Sequence, residues 1–309
     1  MEIKRVALLG AGGIGSYFIW GLSEFLGDNF CVVAAGERAQ RLQQNGMIIN
    51  GQHFALNVKT PQEAATCDLL IVAVKYYSLS SALDDIKQIV GPQTIVISLL
   101  NGIDSEEVIA GAVGAQHLVY SMIRFSAERK GCSTIFEPAT AEGLFYGEKD
   151  TAEKTEHILA LEKFFAQTKI RSHAVPNIVT LQWKKFMINI SGNLPQAVLG
   201  VGYGAYFDSD HVATIRIRLQ EEVQKTAAAE GIALDLPDPT KAVFAKATRF
   251  STLQDLDAKR HTEVDMFLGV LIRKAAEHGI AVPYAEYTYH AIKALEEKND
   301  GKFDYGTHL

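Results

Sequence analysis

The sequence is short of the residues that build metal sites and disulfide frameworks. Its three cysteines, Cys31, Cys67 and Cys132, are far apart and follow no metal or redox spacing. The nine histidines form no H-E-x-x-H or comparable cluster. We therefore expect reduced thiols, a cytoplasmic location and no metal site.

Long apolar runs and an excess of positive charge are also missing. No apolar run reaches about 18 residues, the length of a membrane-spanning helix, and the start of the chain lacks the apolar core of a signal peptide. The net charge of −6 argues against nucleic acid and anionic membranes as partners. With 309 residues, of which 48% are hydrophobic and 21% charged, the composition is typical of a soluble globular protein of two domains.

The first motif is a glycine-rich turn between a predicted strand and a predicted helix. The apolar run Val6–Leu9 leads into G-A-G-G-I-G, and a helical pattern follows through about Leu26. The first glycine permits a tight turn, the second lets the backbone approach a pyrophosphate, and the last lets helix and strand pack closely. The helix N-terminus then presents free N–H groups to phosphates. The candidate cofactor contacts are Gly10, Gly12, Gly13, Ile14 and Gly15.

The residues that distinguish NAD from NADP lie near the end of the second predicted strand, Phe30–Ala35. Ala35 is neither an acid for a ribose diol nor an arginine for a 2′-phosphate. Glu37 and Arg38 could each take one of those parts, with Arg41 assisting, and a solvated loop of mixed charge is the alternative. We take Arg38 as the candidate phosphate ligand, which makes NADPH the expected cofactor and leaves NADH open.

Two further apolar runs, Asp68–Val74 and Ile95–Leu100, predict doubly buried strands of a parallel sheet. They end at Lys75 and Asn101, on the edge where open α/β sheets bind ligands. Both residues are therefore candidate cofactor contacts, with solvent exposure or turn capping as the alternative. The other elements predicted here are a hairpin turning at Asn50-Gly51, strands at His117–Arg124, Cys132–Phe136 and Glu142–Tyr146 with the last two antiparallel, a helix at Thr151–Gln167 and a strand near Arg171–Ala174.

Beyond Pro176-Asn177 the pattern is helical throughout, so we predict domains at residues 1–175 and 176–309. Several of the helices are amphipathic, which favours a homodimer formed through the second domain. The predicted helical segments are Ile178–Leu199, His211–Glu230, one from the Pro-rich break at 236–239 to about Arg249, one opening at Ser251 and continued by Leu271–His278, and a last one from Pro283 to about Lys298.

A polar stripe on an otherwise apolar helix is the most informative feature of the second half. On a helix, Lys185, Asn189 and Asn193 fall within about 80° of one another. Asparagine costs roughly half a kcal/mol relative to alanine at each helix position. The stripe therefore indicates hydrogen-bonding groups that bind a ligand, or else a buried polar contact inside the protein. Apolar residues occupy most of the remaining circumference: Phe186, Met187, Ile188, Ile190 and Leu194.

Taken together, these motifs resemble the 2-dehydropantoate 2-reductase (ketopantoate reductase) family over essentially the full chain. A lysine with asparagines four and eight positions later, followed by S-x-L-Q-D and H-T-E, is far more specific than the glycine turn. The matching elements are G-A-G-G-I-G at 10–15, V-A-V-K at 72–75, L-N-G at 100–102, K-F-M-I-N-I-S-G-N at 185–193, S-T-L-Q-D at 251–255, R-H-T-E-V-D at 260–265 and H-G-I-A-V-P at 278–283. The resemblance implies an α/β N-terminal Rossmann-type dinucleotide-binding domain followed by an all-α C-terminal domain, with the active site in the cleft between them.

The resemblance also implies roles for individual residues. The family's catalytic lysine falls on Lys185 and its substrate-binding carboxylate on Glu263. Lys75 and Asn101 match positions at the cofactor and at its junction with the substrate. The substrate-contacting positions are matched by Asn189, Asn193, Ser251 and Asn101.

Two positions depart from the family pattern. The arginine commonly used for the 2′-phosphate aligns with Ala35, which leaves NADPH against NADH open. A substrate-contacting asparagine aligns with Thr248, which leaves ketopantoate itself open.

The implied chemistry is hydride transfer from a reduced nicotinamide to a small 2-oxo acid, in the first instance 2-dehydropantoate to (R)-pantoate in pantothenate biosynthesis. Charge develops on the former carbonyl oxygen, and a lysine ammonium, with an ordinary pKa of about 10.4, can supply both charge and a proton there. One alternative is a related 2-hydroxyacid dehydrogenase that takes another 2-oxo acid, with NADH as a second cofactor option. The other is a non-catalytic dinucleotide-binding regulatory protein.

Overall fold

The structure is a computed structural model that describes residues 1–130, 133–237 and 244–305. The chain divides into two compact units, Met1–Val179 and Thr180–Leu309. Within the described ranges, no helix combines the length and the apolar character needed to cross a membrane.

The first unit consists of two β-sheets and five α-helices among its described residues. The helices are α1 (Gly13–Leu26), α2 (Gly36–Asn45), α3 (Leu79–Ile89), α4 (Ser105–Val113) and α5 (Glu156–Phe165). The strands are β1 (Val6–Leu9), β2 (Phe30–Val33), β3 (Met47–Ile49), β4 (Gln52–Phe54), β5 (Val58–Lys59), β6 (Leu69–Val72), β7 (Ile95–Ser98), β8 (Leu118–Arg124), β9 (Glu128–Lys130), β10 (Ser133–Ile135), β11 (Gly143–Gly147) and β12 (Ser172–Ala174).

The larger sheet has eight strands in the order β12-β11-β8-β7-β6-β1-β2-β5. Strand β1 is parallel to β2 on one side and to β6 on the other. The strand order therefore reverses direction at β1, which is the topological switch point where doubly wound sheets bind ligands. The α/β character predicted for this half is confirmed.

Successive residues of the central strands point to opposite, fully covered faces of the larger sheet. Leu8 joins the core beneath α1, with Phe18 and Leu22. Leu9, its neighbour in β1, joins the other core beneath α3, with Ile86. Burial on both faces explains why these strands read as continuous apolar runs rather than alternating ones.

The smaller sheet, β4-β3-β10-β9, contains the predicted hairpin. Strands β3 and β4 are antiparallel, and the φ angles of 50° at Asn50 and 80° at Gly51 are those of a tight two-residue turn. The prediction of antiparallel strands near residues 132–136 and 142–146 is confirmed in that each has an antiparallel neighbour, although the two strands lie in different sheets. Strand β10 pairs with β3 and β9, whereas β11 lies in the larger sheet, antiparallel to β8. Cys132 itself lies outside the described residues.

The second unit is built from helices. They are α6 (Ile178–Leu199), α7 (Ala205–Asp208), α8 (Asp210–Ala229), α9 (Ser251–Asp257), α10 (Val270–Glu277) and α11 (Pro283–Asn299), with one turn of π-helix at Asp265–Gly269 before α10. The predicted helix ending near Arg249 was wrong where the structure describes it, because residues 244–250 contain only a turn and a bend between irregular residues. The rest of that prediction, residues 238–243, lies outside the described ranges.

Candidate functional site

The glycine turn after β1 has three different local environments. Gly10 has a φ of 115°, and a Cβ there would lie 2.4 Å from the Ala73 carbonyl oxygen at the end of β6. A Cβ at Gly15 would lie 2.0 Å from the Gly10 carbonyl oxygen, so side chains are excluded at both positions. A Cβ at Gly12 would meet nothing within 4 Å. The space in front of Gly12 is therefore open to a ligand, while the glycines behind it hold the turn together.

The N-terminus of α1 faces that open space. Gly12 is its N-cap residue, and neither a capping side chain nor an acidic residue lies in the first turn. The first backbone N–H groups of a helix have no acceptor within the helix and carry a partial positive charge. This arrangement of glycines and N–H groups fits a pyrophosphate.

Lys75 and Asn101 lie on the same edge of the sheet as the glycine turn. The registers Leu9–Val72 and Val72–Ser98 place the carboxyl ends of β1, β6 and β7 side by side. Lys75 comes three residues after the end of β6 and Asn101 three residues after the end of β7. The two predicted contacts are therefore neighbours of the glycine turn across the sheet edge.

A cavity of about 200 Å³ adjoins the glycine turn on the side of α2. Its wall includes Ala11 of the turn, Arg38 and Arg41 of α2, and Asn45 at the end of that helix. Residues 36–41, for which a solvated loop was the alternative, are the start of α2. Glu37 is not among the residues that line the cavity, so the two arginines are the charged groups nearest to a ligand there.

A larger cavity, of about 490 Å³, lies beside Gly27, Phe30 and Asn57. Gly27 and Phe30 lie at or just before the start of β2, and Asn57 lies just before β5, so this cavity is at the sheet edge opposite to the glycine turn. Ligands of parallel sheets bind at the carboxyl ends of strands, so we do not assign the cofactor to this cavity.

In the second unit, α6 carries the polar stripe. Asn189 is half-buried and Asn193 is 8% exposed. The amide nitrogen of Asn193 lies 3.5 Å from the amide oxygen of Asn189, so the two side chains contact each other along one helix face. Most of the apolar residues of α6 are buried as expected, but Ile188 is 50% exposed.

The two adjacent lysines of α6 have different surroundings. Lys184 is 40% exposed, and its ammonium lies 4.0 Å from the fully exposed Asp235 carboxylate. An exposed pair of this kind contributes little to stability. Lys185 is half-buried and lies on the side of the helix that carries Asn189. Both lysines are therefore partly exposed, and the turn of about 100° between successive helix positions places them on different faces of α6.

Glu263 lies two residues before the π-helical turn, and its main-chain carbonyl holds the beginning of that turn. Its carbonyl oxygen accepts hydrogen bonds from the N–H groups of Met266, at 3.1 Å, and Phe267, at 3.3 Å. The Phe267 ring packs against Phe186 of α6 with their centroids 6.3 Å apart, so this turn lies against the stripe-bearing helix. Single π-helical turns occur frequently at functional sites.

A buried carboxylate anchors the residue before Glu263. Glu296 of α11 is 2% exposed, and one of its oxygens accepts hydrogen bonds from both the N–H and the hydroxyl of Thr262, each at 2.7 Å. Its other oxygen lies 2.9 Å from the Lys293 ammonium. Burial opposes the charge on Lys293, but Glu296 and Asp265 outweigh it and raise its pKa. Glu263 thus directly follows a residue that the buried Glu296 carboxylate holds by two hydrogen bonds.

Burial disfavours the charged forms of two cysteines and one tyrosine. Burial raises the pKa of the Cys67 thiol to about 12 and also raises that of Cys31. Burial likewise raises the pKa of Tyr206, whose hydroxyl donates to the Gly192 carbonyl oxygen at 2.7 Å. All three stay protonated at neutral pH. Within the described residues, no three His, Cys, Asp or Glu side chains form a metal-binding group.

Two family models match the chain. "Ketopantoate reductase PanE/ApbA" matches residues 6–148, and "Ketopantoate reductase PanE/ApbA C terminal" matches residues 177–296. The 2-dehydropantoate 2-reductase of Caulobacter vibrioides is 30% identical over 229 residues, which are 72% of this chain and 76% of the relative. The chain belongs to the ketopantoate reductase family. It is an oxidoreductase by that membership, and the resemblance seen in the motifs is confirmed.

Further ketopantoate reductases and their structural neighbours are similar over nearly the whole chain. The 2-dehydropantoate 2-reductase of Pyrococcus horikoshii is 27% identical over 96% of this chain and 99% of its own length. A structure of D-mandelate dehydrogenase with NADH has a TM-score of 0.82 at 23% identity, covering 95% of this chain and 99% of its own. A dimeric ketopantoate reductase from Staphylococcus aureus has a TM-score of 0.77 at 18% identity, covering 96% and 99%. The fold is therefore shared with ketopantoate reductases and with a mandelate dehydrogenase.

Several polar groups beside the candidate residues were not predicted from the sequence. Asn45 lines the cavity beside the glycine turn, and Glu296 accepts hydrogen bonds from Thr262. Gln196 is fully buried on α6. A glutamine between Pro195 and three apolar residues was the one visible signal, since buried glutamine side chains require hydrogen-bond partners.

Proposed function

We propose that the chain is an NADPH-dependent 2-dehydropantoate 2-reductase that forms (R)-pantoate for pantothenate biosynthesis. The observation that carries the proposal is the stripe of Lys185, Asn189 and Asn193 on α6, in a chain that belongs to the family. We assign cofactor binding to residues 1–175 and substrate binding, with dimerisation, to residues 176–309. The test is an assay of a panel of 2-oxo acids with NADPH and NADH separately, in which 2-dehydropantoate with NADPH should have the highest kcat/KM.

In this proposal each candidate residue has one task. When bound, the nicotinamide supplies a hydride to the carbonyl carbon of the acid. Lys185 places its ammonium at the carbonyl oxygen, stabilises the developing charge and donates the proton. Asn189, Asn193 and Ser251 orient the acid, Glu263 accepts a hydrogen bond from its distal hydroxyl, and Asn101 contacts both acid and cofactor. Gly10, Gly12, Gly13, Ile14 and Gly15 bind the pyrophosphate, with Lys75 at the same sheet edge.

Arg38 is the proposed ligand of the 2′-phosphate. Its support is the cavity between the glycine turn and α2, in which Arg38 and Arg41 are present and Glu37 is not. A guanidinium binds phosphate through paired charge-assisted hydrogen bonds. We expect Arg38→Ala to raise the KM for NADPH about 10-fold and to leave the KM for NADH nearly unchanged. Steady-state kinetics with both cofactors measures this.

Glu37→Ala is the matched control for that variant, because Glu37 is exposed on the same turn of α2 and does not line the cavity. It should leave the NADPH preference intact. A wild-type preference for NADH would refute the assignment of Arg38 and would favour Glu37 as the ligand of the ribose hydroxyls.

Glu263 should distinguish substrates by their distal hydroxyl. Glu263→Ala is expected to lower kcat/KM for 2-dehydropantoate by about 10- to 150-fold, because a polar group is left without its partner at a cost of roughly 1–3 kcal/mol. A 2-oxo acid without that hydroxyl should be affected much less. The measurement is kcat/KM for both acids with wild type and variant. Equal losses on both acids would instead assign the Glu263 side chain to holding Lys185 or the fold.

A second candidate function is the reduction of a 2-oxo acid with an apolar side chain, which the aromatic rings around the S-x-L-Q-D segment favour. The Phe250 ring, directly before Ser251, contacts the rings of Phe244 and Tyr203 at centroid distances of 5.1 and 5.7 Å. Thr248 replaces the family's asparagine in the same segment. Higher kcat/KM for an aryl or branched 2-oxo acid than for 2-dehydropantoate in the panel would establish this alternative.

We further propose a homodimer and a cytoplasmic location. The Staphylococcus aureus relative is described as dimeric. Cys31 and Cys67 are buried free thiols, as suits a reducing compartment. Light scattering that gives a monomer mass at micromolar concentration would contradict the dimer. A non-catalytic regulatory role is the remaining alternative, and turnover of any acid eliminates it.

A further inference from the structure

Gln196 is a fully buried amide that the proposed chemistry does not use. Its side-chain nitrogen donates to the Thr248 carbonyl oxygen at 3.0 Å, and its side-chain oxygen accepts from the Phe250 N–H at 2.7 Å. Both ends of the amide are therefore bonded to the main chain of one irregular segment. We call residues 248–250 the lead-in segment, because they lead directly into α9.

The lead-in segment contains the residue that caps the start of α9. Phe250 is the N-cap residue of α9 in an extended conformation, and its carbonyl oxygen accepts the N–H of Gln254 at 3.0 Å. Its own side chain provides no cap. Ser251, the first residue of α9, thus directly follows Phe250, whose main-chain N–H is held by Gln196.

Gln196 also lies close to the stripe along α6. It follows Asn193 by three residues, which places the two side chains on neighbouring positions of one helix face. Pro195 precedes it and fixes the local backbone φ. The amide of Gln196 therefore sets the position of Ser251 relative to Asn193, two residues proposed to contact the same acid.

The departure at position 248 fits this arrangement. The Thr248 carbonyl oxygen accepts a second hydrogen bond from the Tyr203 N–H at 3.0 Å. Residue 248 takes part in both hydrogen bonds through its main-chain carbonyl oxygen. The lead-in segment therefore keeps its place whether residue 248 is threonine or asparagine.

We propose that Gln196 is a positioning residue of the substrate-binding unit, which holds Ser251 against α6 at the distance that binding of the 2-oxo acid requires. This inference rests on the proposed function of the same residues. It assigns Gln196 an effect on the acid and none on the cofactor.

The test uses Gln196→Met, which keeps the length of the side chain and removes both hydrogen bonds. We expect the KM of the acid to rise about 10- to 30-fold and the KM of NADPH to stay within about twofold. The matched control is Gln220→Met. Gln220 of α8 is 2% exposed, and its side chain donates to the hydroxyl of Ser191 in α6 at 3.3 Å. This bond does not involve the lead-in segment. The control variant should leave both KM values within about twofold.

Hydrogen exchange of the α9 amides gives a readout that does not depend on turnover. Exchange should accelerate in Gln196→Met and not in Gln220→Met. An unchanged acid KM in folded Gln196→Met, or equal rises in both variants, would overturn the proposal. Gln196→Glu keeps the oxygen that accepts the Phe250 N–H. If Gln196→Met does not fold, Gln196→Glu is assayed instead, with an expected rise of about 3-fold in the KM of the acid.

Failure of the proposed function is recognised separately. Wild type would then reduce no 2-oxo acid, and hydrogen exchange alone would decide whether Gln196 holds α9. Equal exchange in wild type and Gln196→Met would overturn the positioning role in that case too.

Discussion

Lys185→Ala is expected to lower kcat by about 10²- to 10⁴-fold, the range for loss of a positioned proton donor. Lys185 is half-buried and lies on the face of α6 that carries Asn189, and in the proposed mechanism its removal leaves the developing alkoxide without charge or proton. Cofactor affinity, measured by fluorescence titration, should stay within about twofold, because the glycine turn belongs to the other unit.

Lys184→Ala is the internal control for this variant. Lys184 is the adjacent lysine, 40% exposed, and its nearest carboxylate is the fully exposed Asp235. Its kcat should remain within a few-fold of wild type, and thermal melts should show both variants folded. Near-normal kcat in folded Lys185→Ala, or a larger loss in Lys184→Ala, would show that the wrong face of α6 has been assigned.

Gly12→Val is expected to weaken binding of the dinucleotide about 10²-fold while the protein stays folded. Gly12 has an extended backbone, with φ −98° and ψ −161°, and a Cβ there meets no protein atom within 4 Å. The added methyl groups would therefore occupy the space in front of the α1 N-terminus. Loss of charge-assisted phosphate contacts worth about 1.5–3 kcal/mol corresponds to this factor.

Two comparison variants separate cofactor binding from folding. Gly111→Ala, in α4, also adds a Cβ into open space and should change neither affinity nor stability by much. Gly15→Ala would place its Cβ 2.0 Å from the Gly10 carbonyl oxygen and should lower the melting temperature. Isothermal titration and thermal melts measure both quantities. Unchanged affinity in Gly12→Val would mean that the dinucleotide does not lie over this turn.

The parts of the structure that the sequence predicts well are those determined by near neighbours. The glycine turn between β1 and α1, the hairpin turn at Asn50-Gly51 and the bounds of α6 all follow from contacts within a few residues. The face that Lys185 shares with Asn189 and Asn193 follows from helix geometry alone.

The parts that the sequence did not predict depend on distant residues. Gln196 meets its partners 52 and 54 positions away, and Thr262 meets Glu296 34 positions away. The apolar pattern of β10 likewise does not say which sheet the strand joins. Motifs indicate the candidate residues, and the packed structure shows which distant groups hold them.

The most direct test of the central claim is the fate of deuterium from NADPH that carries deuterium at both positions of the hydride-donating carbon. With wild-type protein and 2-dehydropantoate, mass spectrometry should find pantoate with a single deuterium on the carbon that was the ketone, and chiral chromatography should show the R form. Lys185→Ala should give the same labelled product at a rate lower by at least about 10²-fold. Absence of product from every acid of the panel, or product without deuterium at that carbon, would contradict the account.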